Sequence, residues 1–214
     1  MTLASCDSRK TAGENPFFTE WDTPHGVPPF DKILPEHFMP AFERGMSLHE
    51  AEIDAITSNK DEATFENTIL AYDDAGQMLA QTELVFGMLC AAETNDRMQA
   101  LQEQAMPLLA AHRDKIRLDD KLFVRVKEVY DRRAALGLDA EQMRLLQKTY
   151  DSFVRAGALL DAEQKARLKE INGQLSLTAV KFGNNILAEN NNFVLELKSD
   201  ELDGLPAGIR DAAR

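Results

Sequence analysis

The chain has 214 residues, 44% of them hydrophobic and 28% charged, enough for one large or two small domains with a real core. A formal charge of -12 and a pI near 4.8 exclude nucleic acid as a partner, because no block of Lys and Arg exists to displace counterions from a polyanion. No apolar run approaches the roughly 20 residues that span a bilayer as a helix, and 2 cysteines cannot frame a disulfide scaffold.

Gly (11) and Pro (8) are sparse while Ala, Leu, Glu and Gln are abundant, a mixture that favours helix. At the start, Leu3-Ala4-Ser5-Cys6 has the small residues before a Cys that mark a bacterial lipobox. Cys6 is therefore a candidate lipidation site, and residues 1–14 read as a flexible tether. On that reading the protein is a bacterial periplasmic or membrane-anchored lipoprotein; if the match is chance, it is cytoplasmic. Only five residues precede Cys6, fewer than the charged start and apolar run of a signal need.

Residues 15–192 read as a helical domain. A first helix starts at Pro35 and carries Phe38, Ala41, Phe42, Gly45, Leu48, Glu52 and Ile56 on one side. Ser58 to Asp61 breaks it. A second helix is expected to run unbroken from about Phe65, with Ile69, Tyr72, Gly76, Leu79, Glu83, Phe86 and Cys90 in line. Cys90 lies in an apolar stretch and reads as a buried, inert thiol. After Glu93 to Asp96 a third helix aligns Met98, Leu101, Ala105, Leu108, His112 and Ile116, bent by Pro107. A fourth covers about Asp120 to Ala135, with Phe123, Val126 and Tyr130 inward and Gly137 as its stop.

Asp139-Ala140-Glu141-Gln142 and Asp161-Ala162-Glu163-Gln164 both have capping-box form. Between and after them, Met143, Leu146, Tyr150, Phe153, Gly157 and Leu160 face Leu168, Ile171, Leu175, Thr178 and Phe182. This near-heptad spacing predicts a long antiparallel helical hairpin with its tip at Leu160 and Asp161. Asn190 to Asn192 ends the second arm, and Phe193 to Leu197 alternates as one short strand. Pro206 suits the start of another helix. The fold class is all-α: an antiparallel multi-helix bundle with one short strand, and 193–214 read as the start of a following segment that is cut short.

No catalytic, cofactor-binding or metal residue is assigned. A zinc protease of the H-E-x-x-H type needs two imidazoles one helical turn apart. His49-Glu50 has Ile53 where the second ligand would stand. His25 lies in a Pro-rich loop, His37 in a first helical turn and His112 on an apolar stripe, so none has ligand spacing. Asp73-Asp74 and Asp119-Asp120 read as solvated faces and caps.

An ordered series of short segments nevertheless resembles one family. Asn15-Pro16-Phe17, Pro29-Phe30-Asp31-Lys32-Ile33, Pro35-Glu36-His37-Phe38-Met39-Pro40-Ala41-Phe42 and Thr64-Phe65-Glu66-Asn67-Thr68-Ile69 are similar to the N-terminal region of zinc peptidyl-dipeptidases, the dipeptidyl carboxypeptidases of the thimet oligopeptidase and neurolysin family. Arg144-Leu145-Leu146, Phe153 to Leu160, Leu168 to Asn172 and Asp203-Gly204-Leu205-Pro206 continue it in order. The resemblance implies a nearly all-helical, two-lobed parent that removes C-terminal dipeptides from oligopeptides. This chain would supply channel wall and limit access, with zinc and the catalytic residues in another lobe, its partner. An apolar face left without that lobe would favour a dimer. The alternative is a free-standing helical binding or scaffold protein, tethered through Cys6.

Overall fold

Asn15 shows how the chain organises itself locally. Its side-chain oxygen accepts from the Phe17 N–H at 3.1 Å, and its amide donates to the His37 carbonyl at 2.8 Å. That pair of bonds fastens the leading loop to the start of the first long helix. The computed structural model describes residues 14–198 and 201–212. Cys6 and all but the last residue of the expected tether lie outside the described residues.

Seven α-helices are labelled in chain order: α1 (Phe38–Ser58), α2 (Gln77–Ala92), α3 (Asp96–Arg117), α4 (Asp120–Asp131), α5 (Ala140–Arg155), α6 (Ala162–Asn192) and α7 (Ala207–Ala212). Pro35 opens a single 3-10 turn, Pro35–His37, that leads into α1. Four later helices begin on side chains that satisfy otherwise orphaned N–H groups. Asn95 accepts from Arg97 and Met98, and Asp119 from Leu122. Asp139 and Asp161 form the two expected capping boxes, with Gln142 and Gln164 returning the bond. α3 runs through Pro107 without ending.

Among the described residues, 14–180 form one compact unit with two cores. In the first, Phe38, Phe42 and Phe86 are at most 2% exposed, with Phe86 ring centroids 4.9 Å from Phe38 and 5.3 Å from Phe42. Phe17 of the leading loop joins at 5.4 Å from Phe38. The second gathers Ile53, Ile69, Leu122, Val126, Leu146 and Phe153 around α4 and α5. Gly45 lets α1 and α2 approach closely: a Cβ there would lie 3.0 Å from Leu79 Cα.

Three expectations are corrected. The stretch from Phe65 is not one helix. It forms a π-helical turn, Phe65–Leu70, then a short turn, and breaks at Gly76, whose φ of +77° a left-handed position requires. The expected hairpin joins α5 to α6 at Leu160 and Asp161, but its seam does not close along the two arms. α5 turns Leu146 and Phe153 into the second core and stacks Tyr150 on Tyr130 of α4, centroids 3.8 Å apart. Ile171 and Leu175 of α6 remain exposed. A face already filled by α4 has no holes left for the α6 side chains. Finally, the strand expected at Phe193 to Leu197 does not form: residues 193–198 carry no regular structure, and no strand exists among the described residues. Alternation alone cannot make a strand, because its backbone groups need a partner ladder.

The described residues from 181 onward, 181–198 and 201–212, form a second unit. It comprises the end of α6, the irregular residues 193–198 and α7, and exposes Phe182, Ile186, Phe193, Val194 and Leu195.

Candidate functional site

Two histidines that are 63 residues apart in sequence meet between helices α1 and α3. His49 Nδ1 and His112 Nε2 are 3.0 Å apart, a hydrogen bond in which one ring donates and the other accepts. His112 Nδ1 is buried without a hydrogen-bond partner, and Glu50 Oε1 lies 3.5 Å from it. The same Glu50 accepts a 2.7 Å ion pair from Lys115, whose side chain is 63% exposed. Glu52, one turn from His49, accepts from the Gly76 N–H at 2.7 Å. Gly76 passes so close that a Cβ on it would sit 2.9 Å from His49 Nδ1. The break in the second predicted helix thus makes room for the histidine pair.

These groups do not fit a zinc site. The facing nitrogens of His49 and His112 are spent on each other, and among the described residues no three His, Cys, Asp or Glu side chains gather as a metal would need. Ile53, at the position H-E-x-x-H reserves for a ligand, is in the core. His37 is also structural, its Nδ1 accepting from the Leu34 N–H at 3.1 Å. His25 occupies an exposed turn with a positive φ of 60°. Cys90 is half-buried, and burial raises its thiol pKa, so it is a poor nucleophile. Asp119 is a cap, and Asp120 pairs with the buried Lys165.

Burial lowers the pKa of both paired histidines. At His49 the charge of His112 adds to this, against Glu52 and Glu50. At His112 Glu50 opposes it, Lys115 reinforces it and Glu83 opposes it weakly. A histidine lowered in the folded state binds fewer protons there than in the unfolded chain, so its contribution is complete above the unfolded value of about 6.5. It is lost as pH falls through that value towards the folded ones. Urea titrations are therefore expected to show stability declining from pH 7.5 to 5.5, and the decline should flatten in His112→Leu. An equal slope in that variant would place the titration elsewhere. Glu50 is held low, first by its hydrogen bond to Lys115, and acts only in the carboxylate range below that window.

The described residues therefore define an all-α module. Its sequence relatives give the class. No family model matches the chain. It is 41% identical over 176 residues to the dipeptidyl carboxypeptidase of Escherichia coli (strain K12), covering 82% of this chain and 26% of that protein. Against the dipeptidyl carboxypeptidase of Salmonella typhimurium the figures are 38% over 174 residues, 81% and 26%. Oligopeptidase A of Escherichia coli is 24% identical over 193 residues, covering 90% of this chain and 28% of that protein. The chain is thus a relative of the dipeptidyl carboxypeptidases in the thimet oligopeptidase family, and spans about a quarter of the length of the curated relatives it matches.

Proposed function

We propose that this chain is the N-terminal helical region of a zinc-dependent peptidyl-dipeptidase that removes dipeptides from the C-termini of oligopeptides. It forms part of the wall of the substrate channel and limits access to it, while zinc and the catalytic groups belong to the remaining lobe. The observation that carries this reading is the 41% identity sustained over 82% of the chain against only 26% of the relative. The exposed Leu159 and Ile171 support it, as apolar side chains that a larger body would cover.

A chimera tests the reading. The chain replaces the 176 matching residues of the Escherichia coli relative, and hydrolysis of an N-blocked oligopeptide is followed with zinc present. The chimera is expected to release C-terminal dipeptides, while the chain alone neither hydrolyses peptide nor binds zinc stoichiometrically. A chimera that folds and holds zinc but stays inactive would overturn the assignment, as would peptidase activity in the chain alone.

A further inference from the structure

Among 36 acidic and 24 basic residues, one groove of the first unit collects cations that enter no ion pair among the described residues. Arg117, at the end of α3, faces Arg144, Lys148 and Arg155 on α5 across a cavity of about 500 Å³ that Ser152 also lines. The groove continues past Arg117 and Arg155 towards α6, where Arg113, Leu168 and Leu175 also line it. None of the ion pairs among the described residues involves any of these five cations.

The groove's two carboxylates explain why. Asp151 stands one turn from both Lys148 and Arg155, yet its Oδ1 accepts from the Gln147 amide at 2.9 Å. Asp114 accepts from the Asn172 amide at 2.8 Å. Each acid gives one oxygen to a neutral amide and keeps its charge, but neither forms an ion pair with the cations beside it, so five cations against two carboxylates leave the groove positive. Arg117 lies against the Tyr72 hydroxyl, whose pKa burial raises, so that partner is neutral as well. Arg117 and Arg155 sit in last helical turns, where the helix dipole favours a cation. Arg144 and Lys148 lie well inside α5 and have no such reason to be there.

We propose that this groove binds an extended acidic oligopeptide, its carboxylates on Arg117, Arg144, Lys148 and Arg155 and an aliphatic side chain on Leu168 and Leu175. Guanidinium forks match carboxylates in a bidentate way, and a concave site concentrates their field within a chain that is otherwise negative. The apolar floor separates a peptide from a bare anion. Ser152, Asn172 and Ser176 line the same groove; the Ser176 hydroxyl donates to the Gly173 carbonyl at 2.9 Å and keeps its oxygen as an acceptor for a peptide N–H. The inference names the peptide class for the function proposed above and in that respect rests on it.

Calorimetry on the 214-residue chain tests it without requiring catalysis, so its failure is distinct from failure of the chimera. The probe is an N-acetylated, C-amidated hexapeptide of four glutamates and two leucines. Binding is expected with a dissociation constant below about 1 mM. It should weaken as salt rises, since exposed charges are screened. Arg117→Gln/Arg155→Gln and Arg144→Gln/Lys148→Gln should each lower affinity at least about tenfold, with circular dichroism showing both variants folded. The proposal falls if the glutamine version of the peptide binds equally, if neither double variant weakens binding, or if inorganic phosphate binds as tightly and competes.

Discussion

Replacing Phe38 with alanine is expected to cost about 4 kcal/mol of folding stability, the upper part of the range for deleting a buried aromatic ring. Phe38 is 0% exposed and touches three other rings: Phe17 at 5.4 Å, Phe42 at 6.3 Å and Phe86 at 4.9 Å. Removal forfeits the transfer of the ring itself and leaves a cavity whose walls belong to three different elements. Aromatic pairs at these distances add about 0.5–1.5 kcal/mol each beyond their buried area. The site cannot collapse easily, because Gly45 already holds α1 against α2 at the limit of approach. Phe38→Leu, which keeps most of the volume, should cost closer to 1.5 kcal/mol. The single tryptophan provides a reporter: Trp21 packs edge-on to Phe17 at 6.1 Å, and its Nε1 donates to the Pro16 carbonyl at 2.9 Å. In Phe38→Ala the leading loop loses its anchor, so Trp21 emission should shift red before global unfolding in urea. A loss below about 2 kcal/mol would mean that the aromatic cluster repacks around the gap.

The features that were legible from sequence are those whose cause is local. Capping boxes at Asp139 and Asp161 need only a side chain three residues from its backbone partner, and both form as expected. Gly137 takes a positive φ of 65°, but the helix it was expected to stop ends earlier, at Asp131, and a separate 3-10 turn, Arg133–Ala135, precedes the glycine. The apolar stripes fixed α1 and α3 well, although Leu48 and Leu108, placed inward, are exposed at 44% and 47%. Failures occurred where one pattern admits two tertiary answers. Gly76 continues a three-four spacing and so passed for a small core position. Asp73-Asp74 ahead of it, poor helix formers beside a glycine, was the available sign of a break. The seam from Leu168 to Phe182 is genuinely heptad-like, yet periodicity does not say what lies opposite, and α4 had already filled the α5 face. The His49–His112 pair needed topology. A histidine on the apolar stripe of α3 did announce that a polar partner must exist, since buried polar groups are bonded. Nothing local pointed to His49 as that partner.

The segment Thr64-Phe65-Glu66-Asn67-Thr68, a marker of family resemblance in the sequence, is a hydrogen-bonded device held by one buried arginine. Thr64 Oγ1 accepts from the Asn67 N–H at 3.1 Å, and Asn67 Oδ1 accepts from the Thr64 N–H at 2.8 Å. The Asn67 amide reaches the Glu62 carbonyl at 2.9 Å. Arg125, buried on α4, then donates to Asn67 Oδ1 at 3.0 Å and to the carbonyls of Asn59 and Asp61 at 3.1 Å each. It is 8% exposed and enters none of the ion pairs among the described residues, so carbonyl and amide dipoles alone stabilise its charge. Arg125→Met keeps length and apolar contact but takes the arginine's bonds from the Asn59 and Asp61 carbonyls and from Asn67 Oδ1, which keeps its bonds from the Thr64 N–H and the Thr68 hydroxyl. Hydrogen bonds to charged groups contribute about 1.5–3 kcal/mol each, partly offset here by relief of the arginine's own desolvation. A net loss of about 3 kcal/mol is expected in urea unfolding. Arg125→Lys should recover only part of it, because one ammonium lacks the planar fork that spans three acceptors. Hydrogen exchange separates this clamp from simple packing. The Asn67 amide should lose protection in Arg125→Met, while Val126 and Val129 on the same helix keep theirs until global unfolding. If those amides open together with Asn67, Arg125 supports the second core as a whole and not the turn alone.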